Sequence, residues 1–322
     1  MGTEIERACC YGSGLIGSGW ATNFILAGVE TKMYDLRQDL LNNAAELVKK
    51  NLTFFLDEGL ISQEQMDQAL GRLVLTTDPE EALKDVQFVQ ENTPERIEIK
   101  RSAIAVMEKY CGDTVVIASS TSGLLISDIA AAAKHPERFV GAHPYNPVYL
   151  LPLVEVTRGK ETSDEAVNEA YAFYKQVRME PVVLKKEAFG FIANRLQHVL
   201  YREAADLVYR GVCTMEDVDR AALFGPGLRW GLMGPNMVFQ LGGGAGGIEG
   251  LLKHMGPTME LCYKDACKWD SMPMDYIEKT QPMMDEIMKQ RAPETGNTNE
   301  EIELFRDRGL LMLLKYHGKF KN

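Results

Sequence analysis

Short apolar runs alternate with longer amphipathic stretches through the first 188 residues of the chain. The short runs predict strands at 5–11 (IERACCY), 31–35 (TKMYD), 73–76 (LVLT), 86–90 (VQFVQ), 114–119 (TVVIAS), 138–142 (RFVGA), 151–156 (LPLVEV) and 181–184 (PVVL). Between them, apolar residues recur at the spacing of one helix face. Residues 38–57 show it with Leu40, Leu41, Ala44, Leu47, Val48, Leu52 and Phe55. Helices are likewise expected at 15–28, 63–70, 94–110 and about 163–177. Gly28 is placed to close the first of these, and Ser62 with Gln65 to cap the one at 63–70. Strand alternating with helix predicts a parallel sheet covered on both faces.

The pattern changes near residue 188. Residues 190–210 carry Ile192, Leu196, Val199, Leu200, Ala204, Leu207 and Val208 at helical spacing, and only helical patterns follow. The expectation is an α/β domain with a mainly parallel sheet over 1–188 and an all-α domain over 189–322. A length of 322 residues agrees with two domains of roughly 150 residues each.

Composition narrows the function classes. The formal net charge is −11 and no basic run offsets it, which argues against a nucleic-acid partner. No stretch approaches the ~18 apolar residues of a membrane span. The start, MGTEIER, has charges where a signal peptide needs an apolar core, and Glu6 breaks the myristoylation pattern. Cys9, Cys10, Cys111, Cys213, Cys262 and Cys267 show no C-x-x-C spacing, so no metal site is expected and reduced thiols in apolar surroundings are. The expected compartment is the cytoplasm.

Residues 12–17 read GSGLIG, a G-x-G-x-x-G between a predicted strand and a predicted helix. Gly12 permits the tight turn, Gly14 lets a pyrophosphate approach the backbone, and Gly17 lets helix and strand pack closely. The N–H groups at the helix start, at Leu15 and Ile16, would face the phosphates. Asp35 ends the second strand at the distance expected of a ribose-binding carboxylate. The parts in register predict a Rossmann-type dinucleotide site over a glycine turn that binds nothing with Asp35 as an ordinary strand-end residue, and the carboxylate predicts NAD over NADP, with Arg37 as the nearby counter-signal.

His143 follows an apolar strand in HPYNP, at the sheet edge where ligands of such folds bind. Glu155 lies in the next strand among apolar neighbours and needs a partner. A carboxylate on one imidazole nitrogen raises basicity at the other, so the two read either as a general-base dyad or as separate residues, with Glu155 capping or salt-bridging elsewhere. Ser122, in IASSTSGLL, reads either as a donor to a substrate oxygen or as a helix N-cap. Asn194, in GFIANRL, reads either as a polar group reaching into an interdomain cleft or as a simple helix-face residue.

These segments together resemble the 3-hydroxyacyl-CoA dehydrogenase family over essentially the whole chain. The matching stretches are YGSGLIGSGWA (11–21), ENTPERIEIK (91–100), SSTSGL (119–124), HPYNP with LPLVEV (143–156) and GFIANRL (190–196). The resemblance implies a Rossmann-type N-terminal domain, a helical dimerisation domain and a homodimer. It implies His143 as general acid/base, Glu155 as its orienting partner, and Ser122 and Asn194 as holders of the substrate oxygen. It sets Asn146 near the nicotinamide, and Glu95 against the cofactor or the Ser122 region.

Within the family, GPGLRWGLMGP (225–235) looks like the branch of L-carnitine dehydrogenase and L-gulonate 3-dehydrogenase (lambda-crystallin). Those relatives act on free hydroxy acids. Arg229 then reads as a fork for a substrate carboxylate or as a surface or dimer salt bridge. Trp230 reads as one wall of a quaternary-ammonium box or as core filling. Tyr145 stands where the family often has Phe and adds a hydroxyl near the substrate. The expected function is NAD-dependent oxidation of a small 3-hydroxy acid, L-carnitine-like. The alternatives are a 3-hydroxyacyl-CoA substrate, L-gulonate, and a crystallin-like binding protein without catalysis.

Overall fold

A computed structural model describes residues 4–320, so part of the N-terminal reading lies outside the described residues. The chain forms two compact units, one extending to Asn194 and the other starting at Arg195.

Among the described residues the first unit holds eight strands: β1 (Arg7–Tyr11), β2 (Glu30–Tyr34), β3 (Leu73–Thr76), β4 (Phe88–Glu91), β5 (Val116–Ser119), β6 (Phe139–Pro144), β7 (Leu153–Arg158) and β8 (Glu180–Val183). They make one sheet in the order β3-β2-β1-β4-β5-β6-β7-β8. Every pairing is parallel except β6 with β7. The order reverses direction between β1 and β4, and such a switch point opens a crevice at the carboxyl ends of the strands. The antiparallel pair has a direct cause, since residues 145–152 join the two strands without the crossover helix a parallel pair needs.

Helices α1 (Leu15–Leu26), α2 (Gln38–Asp57), α3 (Gln63–Leu70), α4 (Pro79–Leu83), α5 (Ile97–Tyr110), α6 (Ile126–Ile129) and α7 (Asp164–Gln176) flank the sheet. One core sets Trp20, Phe24, Leu41, Phe173 and Tyr174 against Phe88 and Val140. The other sets Leu83, Ile104, Met107 and Ile129 against Val89 and Ile117. Ser62 and Gln65 make the expected capping box on α3. Gly28 has φ +91° just beyond α1, a conformation glycine adopts at no steric cost. The short α4 and α6 escape the periodicity reading because five and four residues show too little of a helix face. Asp78 caps α4 by accepting the Glu80 N–H, with Pro79 in its first turn. All six cysteines are free thiols, yet Cys262 is exposed, which corrects the expectation that all six occupy apolar surroundings.

The second unit is helical. Helix α8 (Ala193–Tyr209) leads into it, followed by α9 (Met215–Ala222), α10 (Leu228–Trp230), α11 (Pro235–Gly242), α12 (Gly247–Asp265), α13 (Tyr276–Gln290) and α14 (Asn299–Tyr316). Thr214 with Asp217, and Thr298 with Glu301, close capping boxes on α9 and α14. Trp269 lies edge-on between the rings of Tyr209 and Tyr276. Many large apolar side chains stay exposed, including Leu196, Val199, Phe224, Leu228, Ile277 and Tyr316. No helix among the described residues is long and apolar enough to cross a membrane.

Candidate active site

The glycine turn lies at the switch point. Gly12 has φ +103°, and a Cβ there would stand 2.7 Å from the Asn92 carbonyl oxygen at the end of β4. Gly17 is packed more tightly still, since its Cβ would come 2.0 Å from the Gly12 carbonyl. Gly14 differs from both, because a Cβ on it meets nothing within 4 Å. Packing excludes a side chain at the first and third glycines, whereas the second faces open space in front of the α1 N–H groups. Leu15 and Ile16 open that helix, with no acidic side chain in its first turn to compete for an anion.

Asp35 follows β2 and touches the same turn. Its Oδ2 accepts from Ser13 N–H and Ser13 Oγ at 2.9 and 2.7 Å, and its Oδ1 accepts from Leu36 N–H at 2.7 Å. Oδ1 keeps an acceptor site toward a ribose diol, whereas both sites of Oδ2 are taken by Ser13. Arg37 is held by Asp39 through two guanidinium–carboxylate contacts. The turn, the helix start and the carboxylate thus fit a dinucleotide.

The second group of residues gathers along the same sheet edge. His143 and Glu155 stand directly opposite one another in the β6–β7 register. Their side chains share one face and meet, with imidazole Nδ1 2.9 Å from Glu155 Oε2. Both are buried, at 5% and 1% exposure, so water does not compete for the contact. The other carboxylate oxygen, Oε1, accepts from the N–H groups of Ile192 and Ala193 at 2.8 and 3.0 Å. Burial pushes the Glu155 carboxyl up, but the His143 bond and these two N–H groups outweigh it and hold the carboxyl below its ordinary value. An ionised carboxylate only accepts, so the proton of the contact sits on Nδ1 and Nε2 is the basic nitrogen of the neutral ring.

Around this pair the structure brings several further predicted residues. Asn194 Nδ2 donates to the Ser122 carbonyl at 3.2 Å. Tyr145 Oη lies 3.5 Å from Asn194 Oδ1, and its ring stands edge-on to His143. Burial, then the Glu155 charge, raises the Tyr145 phenol, which stays protonated. Asn146 is exposed in the turn that follows His143. Glu95 belongs with the Ser122 loop, where its Oε1 accepts from Thr121 Oγ1, Ser122 N–H and Gly123 N–H at 2.6, 2.9 and 3.0 Å. Ser122 is not a helix cap, since α6 starts at Ile126 with Leu125 before it. Asn194 is not a plain helix-face residue either, because its amide is tied to the Ser122 loop.

Two features here escape a sequence reading. Lys100 is 1% exposed, and its Nζ contacts Glu91 at 2.9 Å and Glu95 at 3.6 Å. Its position in a charged helical stretch, IEIKRS, reads as a solvent face. Phe191 has φ +50°, and its ring centroid lies 5.3 Å from that of His143. The motif GFIANR draws attention to Asn194 and says nothing of a left-handed phenylalanine.

Arg229 and Trp230 form the end of α10 in the helical unit, and both side chains are exposed. Trp230 therefore does not fill the core of its own unit. Among the described residues, Arg229 forms no ion pair. No group of His, Cys, Asp and Glu side chains among the described residues gathers as metal ligands would.

The comparisons with known proteins point the same way as the dinucleotide turn. The chain is 36% identical to an L-carnitine dehydrogenase of a Pseudomonas species, over 99% of this chain and 96% of that protein. It is 38% identical to an L-carnitine dehydrogenase of Oceanobacillus iheyensis, over 80% of this chain and 82% of that protein. Among solved structures, an NAD+-dependent 5-formyl-3-hydroxy-2-methylpyridine 4-carboxylic acid 5-dehydrogenase superposes with TM-score 0.80 at 26% identity, covering 97% of each chain. FadB2 of M. tuberculosis superposes with TM-score 0.70 at 30% identity, covering 87% of this chain and 95% of its own. Residues 7–188 match the NAD-binding domain of 3-hydroxyacyl-CoA dehydrogenase, and residues 190–289 match its C-terminal domain. The chain belongs to the 3-hydroxyacyl-CoA dehydrogenase family and is an NAD-dependent oxidoreductase.

Proposed function

We propose that the chain oxidises the 3-hydroxyl of a small free hydroxy acid, L-carnitine or a close analogue, to the 3-oxo acid. The observation that carries the mechanism is the buried contact of 2.9 Å between His143 Nδ1 and Glu155 Oε2. Bound NAD supplies the hydride acceptor. His143 Nε2 removes the hydroxyl proton, and in reverse the same nitrogen returns it to the substrate oxygen. Glu155 fixes the tautomer and offsets the charge that His143 gains. Ser122 and Asn194 hold the substrate oxygen within reach of Nε2. Asp35 and the Gly12–Gly17 turn hold the dinucleotide, with Glu95 keeping the Ser122 loop in place and Asn146 serving the nicotinamide side.

The free-acid reading rests on the L-carnitine dehydrogenases among the relatives, at 35–38% identity. On this reading Arg229 serves the substrate carboxylate, Trp230 its cationic end, and Tyr145 is a further substrate-binding residue. The exposed apolar side chains of that domain support a homodimer, since a soluble chain seldom leaves so much apolar surface uncovered. The expected compartment is the cytoplasm, where NAD chemistry and free thiols are both at home.

The test is NADH formation by the purified protein with L-carnitine, L-gulonate, 3-hydroxybutyrate and 3-hydroxybutyryl-CoA, each with NAD and NADP. Turnover of L-carnitine with NAD supports the reading. Turnover confined to the CoA ester overturns it.

A further inference from the structure

The five residues from Gly190 to Asn194 build one wall of the site. Gly190 has φ +73° and Phe191 φ +50°, two successive left-handed residues. The Phe191 N–H donates to the Ala188 carbonyl at 3.0 Å and closes the turn. The next two N–H groups, of Ile192 and Ala193, converge on Glu155 Oε1. Asn194 then reaches the Ser122 carbonyl. A glycine adopts the left-handed region freely, whereas a phenylalanine there is strained. Strain of this kind persists only where the surroundings enforce it, and it gathers at functional sites.

We propose that Phe191 is a positioning residue for the His143–Glu155 pair, acting through its left-handed backbone. That backbone turns two consecutive N–H groups onto one oxygen of Glu155. The carboxylate is thereby held at both ends, by amides on Oε1 and by imidazole on Oε2. A carboxylate gripped in this way keeps one orientation while the imidazole gains and loses its proton. The ring, 2% exposed and packed on His143, excludes water from the same contact. The inference rests on the reading of His143 and Glu155 as the proton-transfer pair.

A packing role and a backbone role predict opposite orders among variants that all lack the ring. Phe191→Ile keeps the most apolar volume but is β-branched, and the left-handed region is closed to it. Phe191→Asn and Phe191→Gly lose the volume but keep the backbone. Phe191→Ala against Phe191→Gly repeats the comparison with a single Cβ, should the isoleucine variant fail to fold.

Two readouts are taken. The first needs no substrate and is amide-resolved hydrogen exchange at Ile192 and Ala193. The second is kcat with the panel acid turned over fastest, alongside the KM for NAD and the melting temperature. The backbone role predicts protection and kcat in the order Gly and Asn above Ile, and Gly above Ala. The expected difference in kcat between Gly and Ile is roughly tenfold, the scale of the left-handed penalty, with the KM for NAD unchanged. The reverse order, with Ile the most active and Ala above Gly, overturns the proposal. His143→Ala is measured in parallel. Retained turnover in that variant would sink the proton-transfer reading itself, independently of the order at residue 191.

Discussion

Glu155 and His143 are cross-strand partners in the only antiparallel pairing of the sheet among the described residues. Twelve residues separate them in sequence, an interval that holds the end of β6, the connection 145–152 and the start of β7. Strand β6 delivers the imidazole to the ligand edge, the connection turns back, and β7 brings the carboxylate up on the same face. Opposite residues of an antiparallel pair have Cβ atoms about 5 Å apart, so the contact is built by backbone register rather than by flexible side chains.

Glu155→Gln removes the charge but keeps the shape. Its amide can still accept from Ile192 and Ala193 at one end, but it then presents an NH2 group to His143 Nδ1. The imidazole must move its proton to Nε2 and can no longer act as base, which costs up to ~10⁴ in turnover. Stability carries a pH signature as well. The carboxyl is held below its ordinary value of 4.5, so its ionised pairing stabilises the native state above that pH and is lost as pH falls through the lower native value. The melting-temperature gap between wild type and Glu155→Gln is expected to be full at neutral pH and to close in acid. A gap that widens on acidification would contradict the assignment.

Gly14→Ala and Gly17→Ala should fail in different ways. The first places a methyl in open space where the pyrophosphate approaches, so the KM for NAD rises with little change in melting temperature. The second drives a methyl to 2.0 Å from the Gly12 carbonyl, and helix and strand must part. Overpacking of this kind costs roughly 1–3 kcal/mol. Thermal melts and NAD titrations of the two variants check the contrast.

Lys100→Met leaves Glu91 buried without its cation. Glu91 also accepts from Thr93 N–H and from the hydroxyls of Thr93 and Ser119, so it cannot simply turn toward water. Breaking a buried pair from one side costs about 3–5 kcal/mol. Denaturant unfolding should show a loss of that size. The double variant Lys100→Met with Glu91→Gln should recover part of it, because the unpaired charge is then gone.

The alternation of apolar runs and helical spacings carries most of the sheet, since buried parallel strands read as continuous apolar segments. The dinucleotide turn is legible because Gly12 and Gly17 answer to sterics that leave few other choices, and Gly14 to the open space a pyrophosphate needs. The His143–Glu155 contact is half legible. Glu155 needs a partner on burial grounds, but the partner follows only from the register of two strands whose antiparallel pairing no local signal declares. The grip of Ile192 and Ala193 on Glu155 is invisible in sequence, because backbone N–H groups carry no residue identity. Phe191 is hidden for a related reason. Residue propensities give the left-handed region to Gly and Asn, and a phenylalanine there is imposed by its surroundings. Lys100 is missed because a lysine in an amphipathic helix ordinarily faces solvent.

The most direct measurement is the turnover and NADH affinity of His143→Ala beside wild type, with NAD and the panel acid that wild type oxidises fastest. Loss of ~10²–10⁴ in kcat with NADH affinity unchanged is the expected result. Turnover retained within a few-fold of wild type would remove His143 from the proton transfer and contradict the mechanism.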